Sequence, residues 1–306
     1  MNTGVDVLTA VTTAESYKAE QRQQWDTLAG QLRTWWPAFE GFMAPVTQAM
    51  LAHARLPAGA RVLDVATGFG EPALTAARLV GPAGRVVASD LSPAMLAVAA
   101  QRARDAGLSN VAFAEMDAEQ PTLPESGFDA VVCRLGLMFL PNLDAALARL
   151  AALLVPGGRL VAAVWGPQQA NPWLTVALQT LTEFLELVPA RSDAPGIFDL
   201  AAPGVVERAL THAALSKVRA TPVGLRCAWP SVEAYTQFHQ TSPMGRLVPD
   251  EQPAQQAQAW REVGAMAARR WGPGPLRLRG QVLVVSGRRP LSNGPVTQAQ
   301  TQEMTA

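Results

Sequence analysis

Short apolar runs alternate with helical patterns between residues 61 and 166. The apolar runs cover 61–66, 85–89, 110–115, 128–133 and 159–165, and the helical patterns cover about 71–80, 92–107 and 143–154. Strands that are apolar on both faces and alternate with helices of about 10–15 residues are typical of a parallel sheet covered on both sides. We therefore predict one doubly wound α/β unit over residues 61–166.

The regular alternation stops after residue 166, and the remaining pattern predicts further regions. Residues 1–60 should form an N-terminal helical cap region. Residues 167–275 should form a helical lid or substrate-binding region with one late strand, and 276–289 the final strand. The two late strands are expected to pair as an antiparallel hairpin at the edge of a mostly parallel, seven-stranded sheet. Residues 290–306 are polar and rich in Gln and Thr, which predicts a disordered tail.

Composition narrows the classes of partner. The 306 residues are 49% hydrophobic and carry no net charge, which gives no electrostatic reason to expect nucleic acid or an anionic membrane as the main partner. Cys133 and Cys227 are too few and too far apart for a disulfide framework or a four-cysteine zinc site. We expect a cytoplasmic protein with no metal and no membrane span, because no apolar run reaches about 18 residues. Its oligomeric state is left open, with a dimer among the options.

The stretch from Arg61 to Ala73, RVLDVATGFGEPA, organises the predicted sheet. It runs from a strand through a glycine turn into a helix, a geometry that directs backbone N–H groups at a ligand near the helix start. Gly68 and Gly70 permit the tight turn and the close approach of backbone to ligand. The G-x-G-x-x-A pattern also fits a dinucleotide loop, so by itself it is weakly specific.

Three acids lie at the ends of successive predicted strands: Asp64 inside the end of the first, Asp90 closing the second and Asp117 just after the third. Asp64 would be buried and would need a cationic or N–H partner, such as the amino group of a ligand. Asp90 could accept both hydroxyls of a ribose, and Asp117 could accept from an adenine amino group while the Ala118 N–H donates to the ring. Each acid could equally be a helix cap or a solvated loop residue. Their joint order is harder to explain by chance.

Five segments together resemble the class I S-adenosylmethionine-dependent methyltransferases. They are VLDVATGFGEPAL (62–74), VVASDLSPAML (86–96), AEMDAEQ (114–120), FDAVVCRLGLMFLPN (128–142) and LLVPGGRLVAAVWG (153–166). The similarity is nearest to the ubiquinone/menaquinone-biosynthesis C-methyltransferases and their small-molecule relatives, and it covers about a third of the chain. It implies a Rossmann-like fold and S-adenosylmethionine as cofactor, and it does not specify the methyl acceptor.

The resemblance implies a role for each matching position. Cofactor-binding positions would be Asp64, Ala66, Thr67, Gly68, Phe69 and Gly70 at the methionine end, Asp90 at the ribose, Leu91 and Met95 beside the adenine, Asp117 and Ala118 at the adenine edge, and Arg134 and Leu135 near the sulfonium and the acceptor. One departure is Ala66, which stands where the family usually has the first glycine of the loop. The substitution is small and leaves the two later glycines in place.

Candidate acceptor residues come from the two predicted cap regions and, for Met138, from the predicted α/β unit. Trp25, Trp36, Met138 and Tyr235 are candidate substrate contacts, since aromatic faces attract cations such as a sulfonium; the alternative is that they pack in the core. A protein base is needed only if the acceptor must lose a proton. Of the three histidines, His239 is our candidate catalytic residue, and a structural role is its alternative.

The leading hypothesis is a methyltransferase acting on an oxygen or carbon of a small, fairly apolar metabolite or natural product. A nicotinamide-dependent oxidoreductase on the same sheet would predict a Tyr-x-x-x-Lys pair. The residues four positions after Tyr17 and Tyr235 are instead Gln21 and His239. A non-catalytic cofactor-binding protein is the third hypothesis.

Overall fold

The computed structural model describes residues 13–31, 36–186, 195–248 and 253–291, so most of the predicted tail lies outside the described residues. In this part of the chain seven strands form one sheet in the order β3-β2-β1-β4-β5-β7-β6. The strands are β1 (Arg61–Val65), β2 (Arg85–Asp90), β3 (Val111–Glu115), β4 (Phe128–Arg134), β5 (Leu154–Trp165), β6 (Ser216–Trp229) and β7 (Leu276–Arg288). Strands β1 to β5 pair in parallel, and β7 pairs antiparallel with both β5 and β6. The predicted fold class, including the antiparallel edge hairpin, is confirmed.

Helices cover both faces of the sheet. They are α1 (Ala14–Gln31), α2 (Trp36–Ala54), α3 (Ala73–Val80), α4 (Pro93–Asp105), α5 (Leu143–Ala152), α6 (Pro172–Phe184), α7 (Val205–His212), α8 (Val232–Thr241) and α9 (Pro253–Trp271). On β7, Ser286 contacts His53 of α2, whereas a side chain at Gly287 would meet Leu210 of α7. Because neighbouring strand residues face opposite sides, α2 and α7 lie on opposite faces. No helix in the described ranges is both long and apolar enough to cross a membrane.

Local sequence explains where several elements begin and end. The Ser92 hydroxyl accepts the Met95 N–H at 3.1 Å, and Pro93 occupies the first turn of α4, a usual combination at a helix start. Strand β5 begins at Leu154, five residues before its predicted start. The register between β4 and β5 shifts at this point, and a side chain at Gly158 would lie 2.9 Å from the Val155 carbonyl. The Pro-Gly-Gly segment is therefore an irregularity inside the strand.

The predicted N-terminal cap region contains two helices with different surroundings. Helix α1 packs on α4, whereas α2 packs on strands β4 to β7. Val46 and Met50 of α2 are fully buried. Most of helix α2 is thus part of the sheet's covering layer, whereas α1 and the first turns of α2 lie over the loops at the carboxyl ends of the strands.

Candidate functional site

Asp64, the penultimate residue of β1, holds the loop that joins β1 to α3. One carboxylate oxygen, Oδ2, accepts the Thr67 hydroxyl at 2.7 Å and the Ala73 N–H at 3.0 Å, so this acid caps α3. The other oxygen, Oδ1, is buried and has no hydrogen-bond partner. Burial raises the pKa of Asp64 to about 7, against the lowering effect of these two hydrogen bonds. A buried oxygen without a partner is a strong acceptor for a ligand's ammonium or N–H group.

Asp90, at the end of β2, holds the glycine turn in place. Its Oδ2 accepts the Gly68 N–H at 2.8 Å, and its Oδ1 accepts the Ser92 N–H at 2.9 Å. Each carboxylate oxygen can accept a second hydrogen bond, so capacity for two ribose hydroxyls remains. Burial raises the pKa of Asp90 to about 6, and the neighbouring Asp26 carboxylate acts in the same direction.

Asp117 is held by the N-terminal helix. The Lys18 ammonium lies 2.8 Å from Asp117 Oδ2 and 3.5 Å from Glu119 Oε2, while the Glu119 N–H donates to Asp117 Oδ1. Burial alone would lower the pKa of Lys18, but its hydrogen bonds to Asp117 and Glu15 outweigh burial and raise it. An adenine amino group at Asp117 would therefore share this carboxylate with Lys18.

Arg134, at the end of β4, forms a buried ion pair with α2. Its guanidinium donates to both carboxylate oxygens of Glu40 and, at 3.0 Å, to the Thr47 hydroxyl. The ring of Trp36 lies 6.0 Å from the Arg134 guanidinium, 4.8 Å from that of Arg102, and 4.1 Å from the ring of Phe69. Arg134, Trp36 and the cofactor loop thus lie together at the carboxyl ends of β1 and β4.

The loops that follow β1 and β4 touch at Ala66 and Gly136. A side chain at Gly136 would lie 2.6 Å from Ala66 Cβ and 2.8 Å from Cys133 Sγ, so only glycine fits there. Ala66 and Leu135 both have positive φ angles, 54° and 61°, a conformation that is uncommon for residues with a side chain. The departure at Ala66 therefore keeps the backbone conformation that a glycine would favour.

The other predicted site residues fall into two groups. Leu91, Ala118 and Leu135 are half-buried near the three acids, and Met95 and Met138 are buried. Trp25 of α1 is half-buried, and its ring meets Phe139 edge-on at 5.6 Å. The structure thus brings the cofactor candidates to the carboxyl ends of β1, β2, β3 and β4, with Trp25, Trp36 and Met138 beside them.

His239 and Tyr235 lie elsewhere, in a group of rings that we call the aromatic cluster. It consists of Phe42, Trp173, Trp229, Tyr235, Phe238 and His239, with neighbouring ring centroids 4.5–6.4 Å apart. The Tyr235 hydroxyl donates to the Trp173 carbonyl at 2.8 Å, and His239 Nε2 lies 3.1 Å from the same oxygen.

The surroundings of His239 do not suit a general base. The side chain is fully buried, and burial lowers its pKa to about 3. A base works best with a pKa near the working pH. These surroundings favour the structural alternative for His239, and Tyr235 packs in the same cluster.

Sequence reasoning missed Lys18, Glu40 and Arg102, which complete the charged surroundings of the site. Lys18 is 99 residues from Asp117, and Glu40 is 94 residues from Arg134. Neither pair has a local sequence signal. The signal that was present is indirect, since a charged residue at the end of a buried strand, such as Arg134, needs a partner of opposite charge.

Comparison with known proteins identifies the class. A methyltransferase domain model matches residues 62–158. The ubiquinone/menaquinone biosynthesis C-methyltransferase UbiE of Ectopseudomonas oleovorans is 36% identical over 135 residues, which cover 44% of this chain and 74% of that protein. The chain therefore belongs to the class I S-adenosylmethionine-dependent methyltransferases, whose cofactor is S-adenosylmethionine. The comparisons do not favour a nicotinamide-dependent oxidoreductase.

Within this class the similarity is to UbiE. The enzyme of that name from Pseudomonas putida is 36% identical over 137 residues, 44% of this chain and 50% of that protein. The chain thus spans about half the length of this curated relative. Among solved structures, phosphoethanolamine N-methyltransferase 2 of Haemonchus contortus, in complex with S-adenosylhomocysteine, shares the fold with a TM-score of 0.54. It is 17% identical and covers 92% of this chain and 61% of that one.

Proposed function

We propose that this protein transfers the methyl group of S-adenosylmethionine to an oxygen or carbon of a small, fairly apolar acceptor. The observation that carries the proposal is Asp64 Oδ1, a buried carboxylate oxygen without a partner beside the Gly68–Gly70 turn. The cofactor's ammonium group is a cation that this oxygen can accept. Asp90, with two free acceptor positions, suits the ribose hydroxyls.

In this proposal the chain's residues bind and orient rather than form covalent bonds. When bound, the cofactor supplies an electrophilic methyl group on a sulfonium. Asp64 would hold the methionine part of the cofactor and Asp90 its ribose, and Gly68 and Gly70 allow the backbone to approach it. Holding two reactants at near-attack distance can supply much of the acceleration of a displacement, so the role of the fold is alignment and exclusion of water.

We place the acceptor beside Arg134, Trp36 and Met138. The Arg134 guanidinium is buried and is partly neutralised by Glu40, so it can donate to an acceptor oxygen without strongly repelling the nearby sulfonium. A guanidinium also stabilises an oxygen anion, which would favour the deprotonated form of a hydroxyl or enol acceptor. The apolar surfaces of Trp36 and Met138 suit the body of such a molecule.

Calorimetry with S-adenosylmethionine and S-adenosylhomocysteine tests the proposal. We expect both to bind, and Asp90→Ala to weaken binding by about 1–3 kcal/mol because charge-assisted hydrogen bonds are lost. Asp144→Asn is the matched control, since Asp144 is 65% exposed on α5, and its affinity should equal that of the parent protein. Absence of binding by both compounds would refute the proposal.

An acceptor screen then tests the chemistry. Phenolic and enolic compounds, incubated with isotopically labelled S-adenosylmethionine, should acquire label on oxygen or carbon. Arg134→Gln should reduce turnover more than it reduces cofactor affinity, because Arg134 faces the acceptor in our proposal. Label on nitrogen alone would contradict the proposed acceptor atom.

A further inference from the structure

A second polar site lies near the amino-terminal ends of β4 and β5, whereas Asp64 lies near the carboxyl end of β1. An open cavity of about 220 Å³ is bounded by the end of α2, the start of β4 and the irregular segment of β5. Its charged lining residues are Arg55, Arg159, Arg288 and Asp129, and the backbone of residues 155–158 forms much of the rest. No function has been assigned above to any of these residues.

Four arginines, which we call the arginine cluster, lie at this cavity: Arg55, Arg159 and Arg288 line it, and Arg219 lies beside them on the sheet. Arg159 of β5 and Arg288 of β7 are directly opposite in the antiparallel ladder, and Arg219 of β6 is opposite Ser286. Opposite residues of a ladder share a face, as do residues two apart along a strand, so these three side chains lie on one face. The fourth member, Arg55, directly follows the last residue of α2.

The described residues do not neutralise the arginine cluster. None of its four guanidiniums forms an ion pair in the described part of the chain. Arg288 Nε donates to the Gly157 carbonyl at 3.0 Å. Asp129 supplies one negative charge, although its Oδ2 already accepts the Arg61 N–H at 2.8 Å, and the end of α2 contributes about half a charge. A surplus of more than two positive charges remains.

The pKa of His53 responds to this excess of positive charge. Its Nδ1 lies 3.2 Å from the Ser286 hydroxyl, on the face that carries the cluster. Burial lowers the pKa of His53, and Arg159, Arg219 and Arg55 lower it further. The pKa of Arg159 is lowered by burial and by Arg55 and Arg288. Like charges directly opposite in a sheet are destabilising, so an anion bound among them would relieve a repulsion that the fold leaves in place.

We propose that this cavity binds a small polyanion of the phosphate type, of which pyrophosphate is the simplest example. Guanidinium groups match the oxygens of a phosphate in pairs, and the surplus of charge suits a ligand that carries at least two negative charges. Among the described residues no aromatic side chain lines the cavity, so these residues offer no stacking surface for a nucleobase. The site is separate from the proposed methyl transfer, and either can fail without the other.

Proton NMR of the three histidines tests this assignment on the full chain without cofactor. Titration with sodium pyrophosphate should raise the pKa of His53 saturably. The ring-proton chemical shifts of His212 at constant pH should not change, because α7 lies on the opposite face of the sheet from α2. Sodium chloride at the same ionic strength is the salt control. A response of His53 equal in both salts, or the absence of a response, would overturn the proposal.

Charge variants complete the test. Arg159→Gln should weaken pyrophosphate binding roughly 10- to 100-fold, the loss expected for a charge-assisted hydrogen bond. Arg85→Gln removes the same charge at the start of β2, which β1 and β4 separate from β5. Arg85 pairs there with Glu125, so this change should alter binding less than about twofold. Retained binding of S-adenosylhomocysteine would show that Arg159→Gln is folded. Equal losses in the two variants, or a stronger response to duplex DNA at equal phosphate concentration, would contradict a small-anion site.

Discussion

The loop around Asp64 and the aromatic cluster around Trp173 are both buried, but their polar atoms differ in what they can still bind. In the loop, a carboxylate whose pKa is raised to about 7 keeps one oxygen unpaired. In the cluster, the unpaired atoms are the indole nitrogens of Trp173 and Trp229 and Nδ1 of His239. These are neutral groups among rings, and leaving a neutral group unpaired is less costly than leaving a charge unpaired. A buried charged group without a partner therefore indicates the ligand site better than a group of packed aromatic rings does.

The largest expected effect separates packing from binding. Trp173→Ala should lower the free energy of unfolding by about 3–5 kcal/mol, because it removes a ring buried among five others. Affinity for S-adenosylmethionine should stay within about twofold of the parent value where the variant is folded. Chemical denaturation and calorimetry measure the two quantities. A parallel loss of cofactor affinity would mean that the cluster belongs to the cofactor site.

Asp64→Asn should have opposite effects on stability and binding. The variant removes a buried charge, so the cofactor-free protein should become more stable at pH 8 by about 1–3 kcal/mol. It also removes the charge that attracts the cofactor's ammonium group, so affinity should fall by about 1.5–3 kcal/mol. Asp144→Asn should change neither quantity. Loss of stability together with loss of binding would show that Asp64 serves mainly as a cap for α3.

The stability of the cofactor-free protein should depend on pH through the same acids. Burial raises the pKa of Asp64 to about 7 and that of Asp90 to about 6, above the ordinary value of 3.8. Because the unfolded state gives up these protons first, the free energy of unfolding should fall as pH rises from about 4 to about 7, by up to about 1.4 kcal/mol per pH unit for each group.

Urea titrations across this pH range, with and without saturating S-adenosylmethionine, measure the effect. The cofactor should flatten the profile, because its ammonium group stabilises the ionised form of Asp64. Asp64→Asn should remove the part of the slope between about pH 6 and 7. An unchanged slope in that variant would assign the dependence to other groups.

The smallest expected effect concerns His239. His239→Gln keeps a neutral donor near the Trp173 carbonyl, so turnover and its pH profile should remain within about threefold of the parent between pH 6 and 9. Steady-state kinetics with an acceptor from the screen would measure this. A shift of the acidic limb of the pH profile in the variant would indicate that His239 takes part in catalysis.

The fold could be predicted because its signals are local. Each strand of the parallel region is a short apolar run. An acid at or next to its carboxyl end, such as Asp64 or Asp90, lies beside the loops that form the ligand-binding side of such a sheet. The Gly68–Gly70 turn indicates which of these strands leads directly into the start of a helix. These features depend on neighbouring residues only, so one sequence is enough to read them.

The partners of the site residues could not be read in the same way. Lys18 reaches Asp117, and Glu40 reaches Arg134, only after the helices have packed on the sheet. His239 was misplaced for a different reason. Val232, Tyr235 and His239 recur at helical spacing on one face of α8 and are all buried, which is the pattern of a core-facing helix. That periodicity was present in the sequence and would have favoured a structural role.

The contacts of helix α1 concern the binding and dissociation of the cofactor. Lys18, Arg22 and Asp26 are spaced four residues apart, so they follow one face of the helix. They contact Asp117, Glu115 and Ser92 respectively, which surround the expected adenosine position. Two of these contacts are ion pairs, and dissolved salt weakens the more exposed one most. We therefore expect ionic strength to change the residence time of the cofactor through the contacts of α1.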